Sequence, residues 1–167
     1  QRKHHGTDAQ LEFDTMSEAI DRAMSDLELL EWVESEVFAV SVEYSTAANA
    51  AIRDAVARNV SLRTNPDALP PLQAPAYADV LAKLMRTFRD KWRDPHLALA
   101  IFERARTLSI HSYSLGCTTP VYNELLETRW VCFRDLYGVW RTVEEMRING
   151  VVPDERTRAF WERVRRE

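Results

Sequence analysis

The chain is poor in glycine and cysteine, with four of one and two of the other, and it contains no uninterrupted apolar run near the ~20 residues needed to cross a bilayer. Each shortage excludes something. Gly6, Gly116, Gly138 and Gly150 are isolated, so none opens the Gly-rich loop that cradles phosphates after a strand, which argues against nucleotide binding. Cys117 and Cys132 cannot build a disulfide framework, and such a pair is what a reducing compartment leaves: cytosol, nucleus or mitochondrial matrix. His4, His5, His96 and His111 show no metal-ligand spacing with each other or with the cysteines. Carboxylates recur at helical spacing, but the Glu-x-x-His of a bundle-core metal site is missing. His111 beside Ser112 and Ser114 reads as a structural or surface histidine, because sequence neighbours on a helix point in different directions and no third group orients them. The expectation is a non-enzyme with no metal and no cofactor.

What is present favours helices. Leu, Ala, Glu and Arg abound, 46% of residues are hydrophobic and 29% are charged, and 167 residues suffice for one domain with a real core. Gln1 in place of a methionine is the expected mark of a processed or trimmed chain. The net charge of −4 is unevenly spread: acids from Asp8 to Glu43 crowd the beginning, while Lys83, Arg86, Arg89, Lys91, Arg93, Arg104 and Arg106 gather in the middle. This asymmetry reads first as solvated faces or mutual attraction within the fold, and otherwise as two faces for two partners.

Residues 1–14 lack apolar periodicity and read as a flexible arm, with a single helical-repeat domain over 15–167. Thr15 with Glu18, and Ser25 with Glu28, have capping-box spacing and predict two helix starts. Leu29, Leu30, Val33, Val37 and Val40 then share a face, flanked by Trp32 and Phe38, and the Ala-rich stretch 47–57 predicts a weakly packed helix. Asn65, Pro66, Pro70, Pro71 and Pro75 mark a Pro-rich linker at about 59–75. Beyond it, Tyr77 to Trp92 carries an apolar stripe, Asp94-Pro95 opens a second helix, and Gly116 ends the region. Thr118 or Thr119 with Pro120 starts the next helix, and Asn149-Gly150 closes its partner before a last helix bearing Phe160, Trp161 and Val164. The fold class expected is all-α, a short α-solenoid of antiparallel helix pairs.

The run 119–154 contains Val121-Tyr122-Asn123-Glu124-Leu125-Leu126, then Glu144-Glu145-Met146, then Gly150-Val151-Val152-Pro153-Asp154. It resembles one pentatricopeptide repeat, in which two or three side chains read one RNA base. Asn123 and Asp154 match the reading positions; the connection around 131–135 looks longer than usual, and one repeat alone cannot read a sequence. Arg86, Arg89 and Arg93 complete a candidate RNA-binding set, although Phe88 and Trp92, which could stack bases, lie on the apolar stripe.

A wider resemblance covers most of the chain. Asp26-Leu27-Glu28-Leu29 with Trp32, Leu97-Ala98-Leu99-Ala100, Ser112-Tyr113-Ser114-Leu115-Gly116, Tyr122-Asn123-Glu124-Leu125 and Glu145-Met146 are similar to the fungal family named after mitochondrial transcription factor two. The resemblance implies a mitochondrial matrix protein serving maturation and translation of mitochondrial mRNA, notably that for cytochrome oxidase subunit one. It also implies docking to the mitochondrial RNA polymerase, the mitoribosome or a larger pentatricopeptide protein. Three readings follow: an adaptor docking through Glu28, Glu31 and Glu34, a direct single-stranded RNA binder, and a structural subunit of a large mitochondrial assembly.

Overall fold

The computed structural model describes residues 2–58 and 69–167, with side chains described from residue 7 onward. Among the described residues every regular element is helical: α1 (Arg2–Arg22), α2 (Asp26–Val33), a π-helical turn (Glu34–Phe38), α3 (Ala39–Ala57), α4 (Tyr77–Asp90), α5 (Pro95–Leu108), α6 (Ile110–Gly116), α7 (Thr119–Phe133), α8 (Leu136–Ile148) and α9 (Glu155–Arg166). The all-helical expectation holds. The linker expected at 59–75 falls partly on residues 59–68, outside the described ones; 69–76 form turns leading into α4.

The N-terminal segment departs from expectation. Residues read as an arm belong to α1, and Thr15 is not a cap but an interior residue whose hydroxyl donates to the Leu11 carbonyl at 2.9 Å. Tertiary contact explains the difference: Phe13, Met16 and Ile20 pack into the core, and Glu12 accepts the Ala76 amide just ahead of α4. Helical structure nucleated there extends through polar residues that show no pattern of their own. The second predicted start is in place, with Ser25 accepting the Glu28 amide at 3.1 Å, while the Glu28 carboxylate accepts from the Met24 amide.

From Asp26 to Ala57 the chain is one helix with a wide turn inside it. A π turn inserts residues into the helical register and rotates whatever follows. The sequence stripe is therefore re-phased: Leu29, Val33 and Val37 are buried as expected, but Phe38 turns inward and the face continues through Ser41, Ser45 and Ala48. Leu30 and Val40 are left half-buried.

The core centres on α4, whose Val80, Leu81, Leu84, Met85 and Phe88 are essentially inaccessible. Helices α1, α5, α6 and α7 pack around it. Asp94 accepts the Leu97 amide and starts α5 with Pro95 in the first turn. Helix α7 starts at Thr118 without a side-chain cap bond, since Thr119 instead donates to the Val152 carbonyl. The α7–α8 connection is shorter than the sequence suggested. Helix α7 runs through Phe133, Arg134 takes the left-handed conformation that ends it, and Asp135 accepts the Gly138 amide to begin α8. Gly150, at φ 68°, ends α8 where expected.

The Ser112–Gly116 run acquires a physical reason. Ser112 and Gly116 lie one turn apart and face α4; the Tyr77 hydroxyl donates to Ser112 at 2.7 Å, and Ser112 donates to the Ala105 carbonyl at 2.6 Å. A Cβ on Gly116 would lie 2.6 Å from the Tyr77 ring, so the close approach of α6 to α4 requires glycine.

Candidate functional site

Helix α7 is buried on every side from Val121 to Leu126, and the polar residues of that stretch therefore need partners inside the fold. Glu124 is 0% exposed, in the middle of the apolar run from Val121 to Leu126. Three guanidinium groups converge on it: Arg86 at 2.9 Å and Arg89 at 2.9 Å from α4, and Arg156 at 2.6 Å from α9. Arg89 is itself buried and forks onto Asp90 with 2.7 and 2.8 Å contacts. Burial pushes the Glu124 carboxyl upward, but the Arg156, Arg86 and Arg89 contacts overcome this and hold it below the usual carboxylate range. Burial likewise opposes the Arg89 charge, and Asp90 and Glu124 more than restore it. One carboxylate on α7 thus ties that helix to both α4 and α9.

The two residues at base-reading positions lie beside this hub. The Asn123 amide donates to both Asp154 oxygens at 3.0 and 3.1 Å, and its carbonyl accepts from the Thr157 hydroxyl at 2.7 Å. Asp154 also caps α9 in a reciprocal capping box with Thr157. The Thr157 amide is the main cause that lowers the Asp154 carboxyl, with Asn123 adding to it. The structure brings Asn123 and Asp154 together and binds them to each other. Arg86 and Arg89 are spent on Glu124, whereas Arg93, in the left-handed conformation at φ 55°, is exposed.

A second polar knot ties α6, α7 and α8. The Tyr113 and Tyr122 hydroxyls donate to Glu145 at 2.8 and 3.0 Å, and Arg106 approaches the same carboxylate at 3.5 Å. Desolvation raises both phenols well above their ordinary value, so both remain donors throughout the physiological range. Cys117, buried nearby, has its thiol pushed up to about 12 by burial, and His111 bonds Ser45 at 3.1 Å rather than Ser112 or Ser114. Among the described residues no group of three His, Cys, Asp or Glu could hold a metal ion, and no helix is long and apolar enough to cross a membrane.

The acidic face is arranged differently. Glu34 pairs with Arg104 of α5 at 3.2 Å, and Glu28 serves the start of α2 while remaining exposed. Glu31 is exposed, and like Asp26, Glu36 and Glu43 it has no ion-pair partner among the described residues. Met24 and Leu27 stand out from the same end, 85% and 62% exposed. Sequence patterns named the outer acids but not Glu124, Arg156 or Glu145. The available signal was a lone acid inside an apolar helical run, with arginines one turn apart on another helix to answer it.

Stacked helices joined by a buried ion-pair hub, with a separate exposed charged face, make an all-helical fold consistent with a helical-repeat arrangement. A model of the Mtf2 family matches residues 10–167, and the chain belongs to that family. A relative, the mitochondrial translation factor 2 of Schizosaccharomyces pombe, is 35% identical over 78 residues, which are 47% of this chain and 25% of that protein. The chain therefore matches only a quarter of the length of that curated relative. No solved structure matches the chain.

Proposed function

We propose that this chain is a protein adaptor in mitochondrial gene expression, working in the matrix on mRNA maturation or translation and docking a larger partner through the acidic end of α1 and α2. The observation that carries the adaptor reading is the division of polar groups. Asn123 and Arg89 are buried, and the exposed Asp154 and Arg86 are held by Asn123 and Glu124, while Asp26 and Glu31 have no ion-pair partner among the described residues and stand exposed at the same end as Met24 and Leu27. A mixed acidic and apolar surface suits a partner with basic residues around an apolar hollow, where complementary potential speeds encounter and excludes wrong partners. The membership of the Mtf2 family and the name of the fission-yeast relative support the mitochondrial setting. A larger pentatricopeptide protein, the mitochondrial RNA polymerase or the mitoribosome would serve as the docked body, with mRNA such as that for cytochrome oxidase subunit one reached through it.

The test is affinity capture from nuclease-treated mitochondria, comparing the wild type with an Asp26→Lys, Glu28→Lys, Glu31→Lys variant. The wild type is expected to retain one large protein in stoichiometric amount, and the variant to lose it while staying folded at the capture temperature, its melt lowered only by the lost Glu28 bond to the Met24 amide. Capture unaffected by the three reversals overturns the docking face. Retention of single-stranded RNA by the purified chain, falling steeply with salt and with no protein captured, overturns the adaptor reading in favour of direct binding.

A further inference from the structure

Helix α8 is apolar on two sides. Its inward side, Val139, Thr142 and Met146, is buried against the fold. Its outward side carries Tyr137, Trp140, Arg141, Glu144 and Ile148, whose spacing of three and four places them along one stripe. Tyr137 is 67% exposed, Trp140 54% and Ile148 75%, and the two aromatic rings lie 5.9 Å apart. A hollow of about 520 Å³ runs beside the stripe, bounded across from it by Arg106 of α5 and Tyr113 of α6. Isolated exposed apolar residues are ordinary, but an aromatic pair and an isoleucine along one helix form a contiguous patch of the kind that marks an interaction surface.

The charges on the stripe identify what covers it. Arg141 has no ion-pair partner among the described residues, and Glu144 has only Arg147, one turn along the same helix, at 3.0 Å in an exposed pair of little strength. When two copies of a helix pack antiparallel about a two-fold axis, residues equidistant from the axis on opposite sides meet. Tyr137 and Ile148 share a midpoint between Thr142 and Val143, and Arg141 and Glu144 share the same one. A single axis therefore places Tyr137 against Ile148 of the second copy and Arg141 against Glu144 of the second copy, each contact occurring twice. Trp140 then lies level with position 145 of the facing helix, beside its Glu144. A sequence that complements itself about one point in both apolar and charged positions fits a second copy of this chain.

We propose that the outward face of α8 is a homodimer interface, built by antiparallel packing of α8 on α8 of a second copy. This goes beyond the adaptor function and does not depend on it. The dimer displays two acidic docking ends, so that a partner with two basic sites is held with greater avidity than one copy provides.

Sedimentation equilibrium of the purified 167-residue chain across a concentration series tests the proposal. The expected result is a reversible monomer–dimer equilibrium. Trp140→Glu and, independently, Ile148→Glu are each expected to weaken it by about thirty-fold or more, because each appears twice in the interface. Arg141→Glu should weaken the dimer by placing two carboxylates face to face, and the double variant Arg141→Glu, Glu144→Arg should restore it to within a few-fold of wild type. Circular dichroism melts under monomeric conditions should coincide for all variants, since the altered side chains point away from the core. A chain that stays monomeric at every concentration overturns the proposal, as does a dimer indifferent to both Trp140→Glu and Ile148→Glu. A double variant no tighter than Arg141→Glu alone overturns the antiparallel register and with it the interface.

Discussion

The two ends of this molecule spend their charges in opposite ways. In the helices up to Ala57, Glu31, Glu36 and Glu43 face solvent with no ion-pair partner among the described residues, and the inward side is held chiefly by an apolar face carrying Leu29, Val33, Val37 and Phe38, with Asp21–Lys83 and Glu34–Arg104 pairs at its margin. From α4 onward, Glu124, Asn123 and Glu145 are drawn inside and satisfied by arginine, threonine and tyrosine from neighbouring helices. The same residue types thus serve as a surface in one region and as joints in the other. Burial decides which, because a charge removed from water must be answered in place, whereas an exposed one remains available to another molecule.

That contrast can be broken most forcefully at its buried end. Glu124→Gln leaves Arg89 buried with half its compensation gone and should cost about 3 kcal/mol in urea unfolding; a loss no larger than that of an exposed pair would remove the contrast. The same carboxylate should shape the acid response. Its folded-state pKa is depressed, so its stabilisation is fully present above the ordinary glutamate value of about 4.3 and is lost as pH falls through the lower folded value. Stability measured from neutral to strongly acidic pH should fall more steeply in the wild type than in Glu124→Gln. Next in size, Asn123→Ala removes one of the two acceptors of the buried Thr157 hydroxyl, leaving Asp154, together with the amide bonds to Asp154, and should cost about 1 kcal/mol. At the other end the effects shrink. Arg104→Ala removes a half-exposed pair with Glu34 and a stacking contact over Phe38, and about 0.5 kcal/mol is expected. Glu31→Lys should leave stability within about 0.5 kcal/mol of wild type while weakening partner capture, which inverts the behaviour of Glu124→Gln.

Local chemistry was legible before any coordinates. Ser25, Asp94-Pro95, Asn149-Gly150 and Asp154 punctuate helices where their side chains or backbone freedom require, because a cap depends on residues a few positions apart. The stripe from Tyr77 to Phe88 marked the central helix for the same reason. Features set by distant contacts were hidden. Helix α1 extends through polar residues because Glu12, Phe13 and Met16 meet segments some sixty positions away, as the Glu12 bond to Ala76 shows. The π turn at Glu34–Phe38 has no local signature, and it alone decides that Phe38 rather than Val40 is core. Asn123 and Asp154 stood out only as repeat-like positions, and their bond to each other and to Thr157 was not legible in the sequence.

The convergence of Arg86, Arg89 and Arg156 on one carboxylate has a mechanical consequence. Helical arrays change curvature by altering the angle between successive units, and each such rotation must separate side chains that bridge the units. A bridge spanning α4, α7 and α9 fixes two of those angles at once, so this part of the array resists bending as a stiff arc rather than a spring. A stiff arc would meet any partner already shaped, because the ordering entropy that a pliable array loses on contact has been spent during folding.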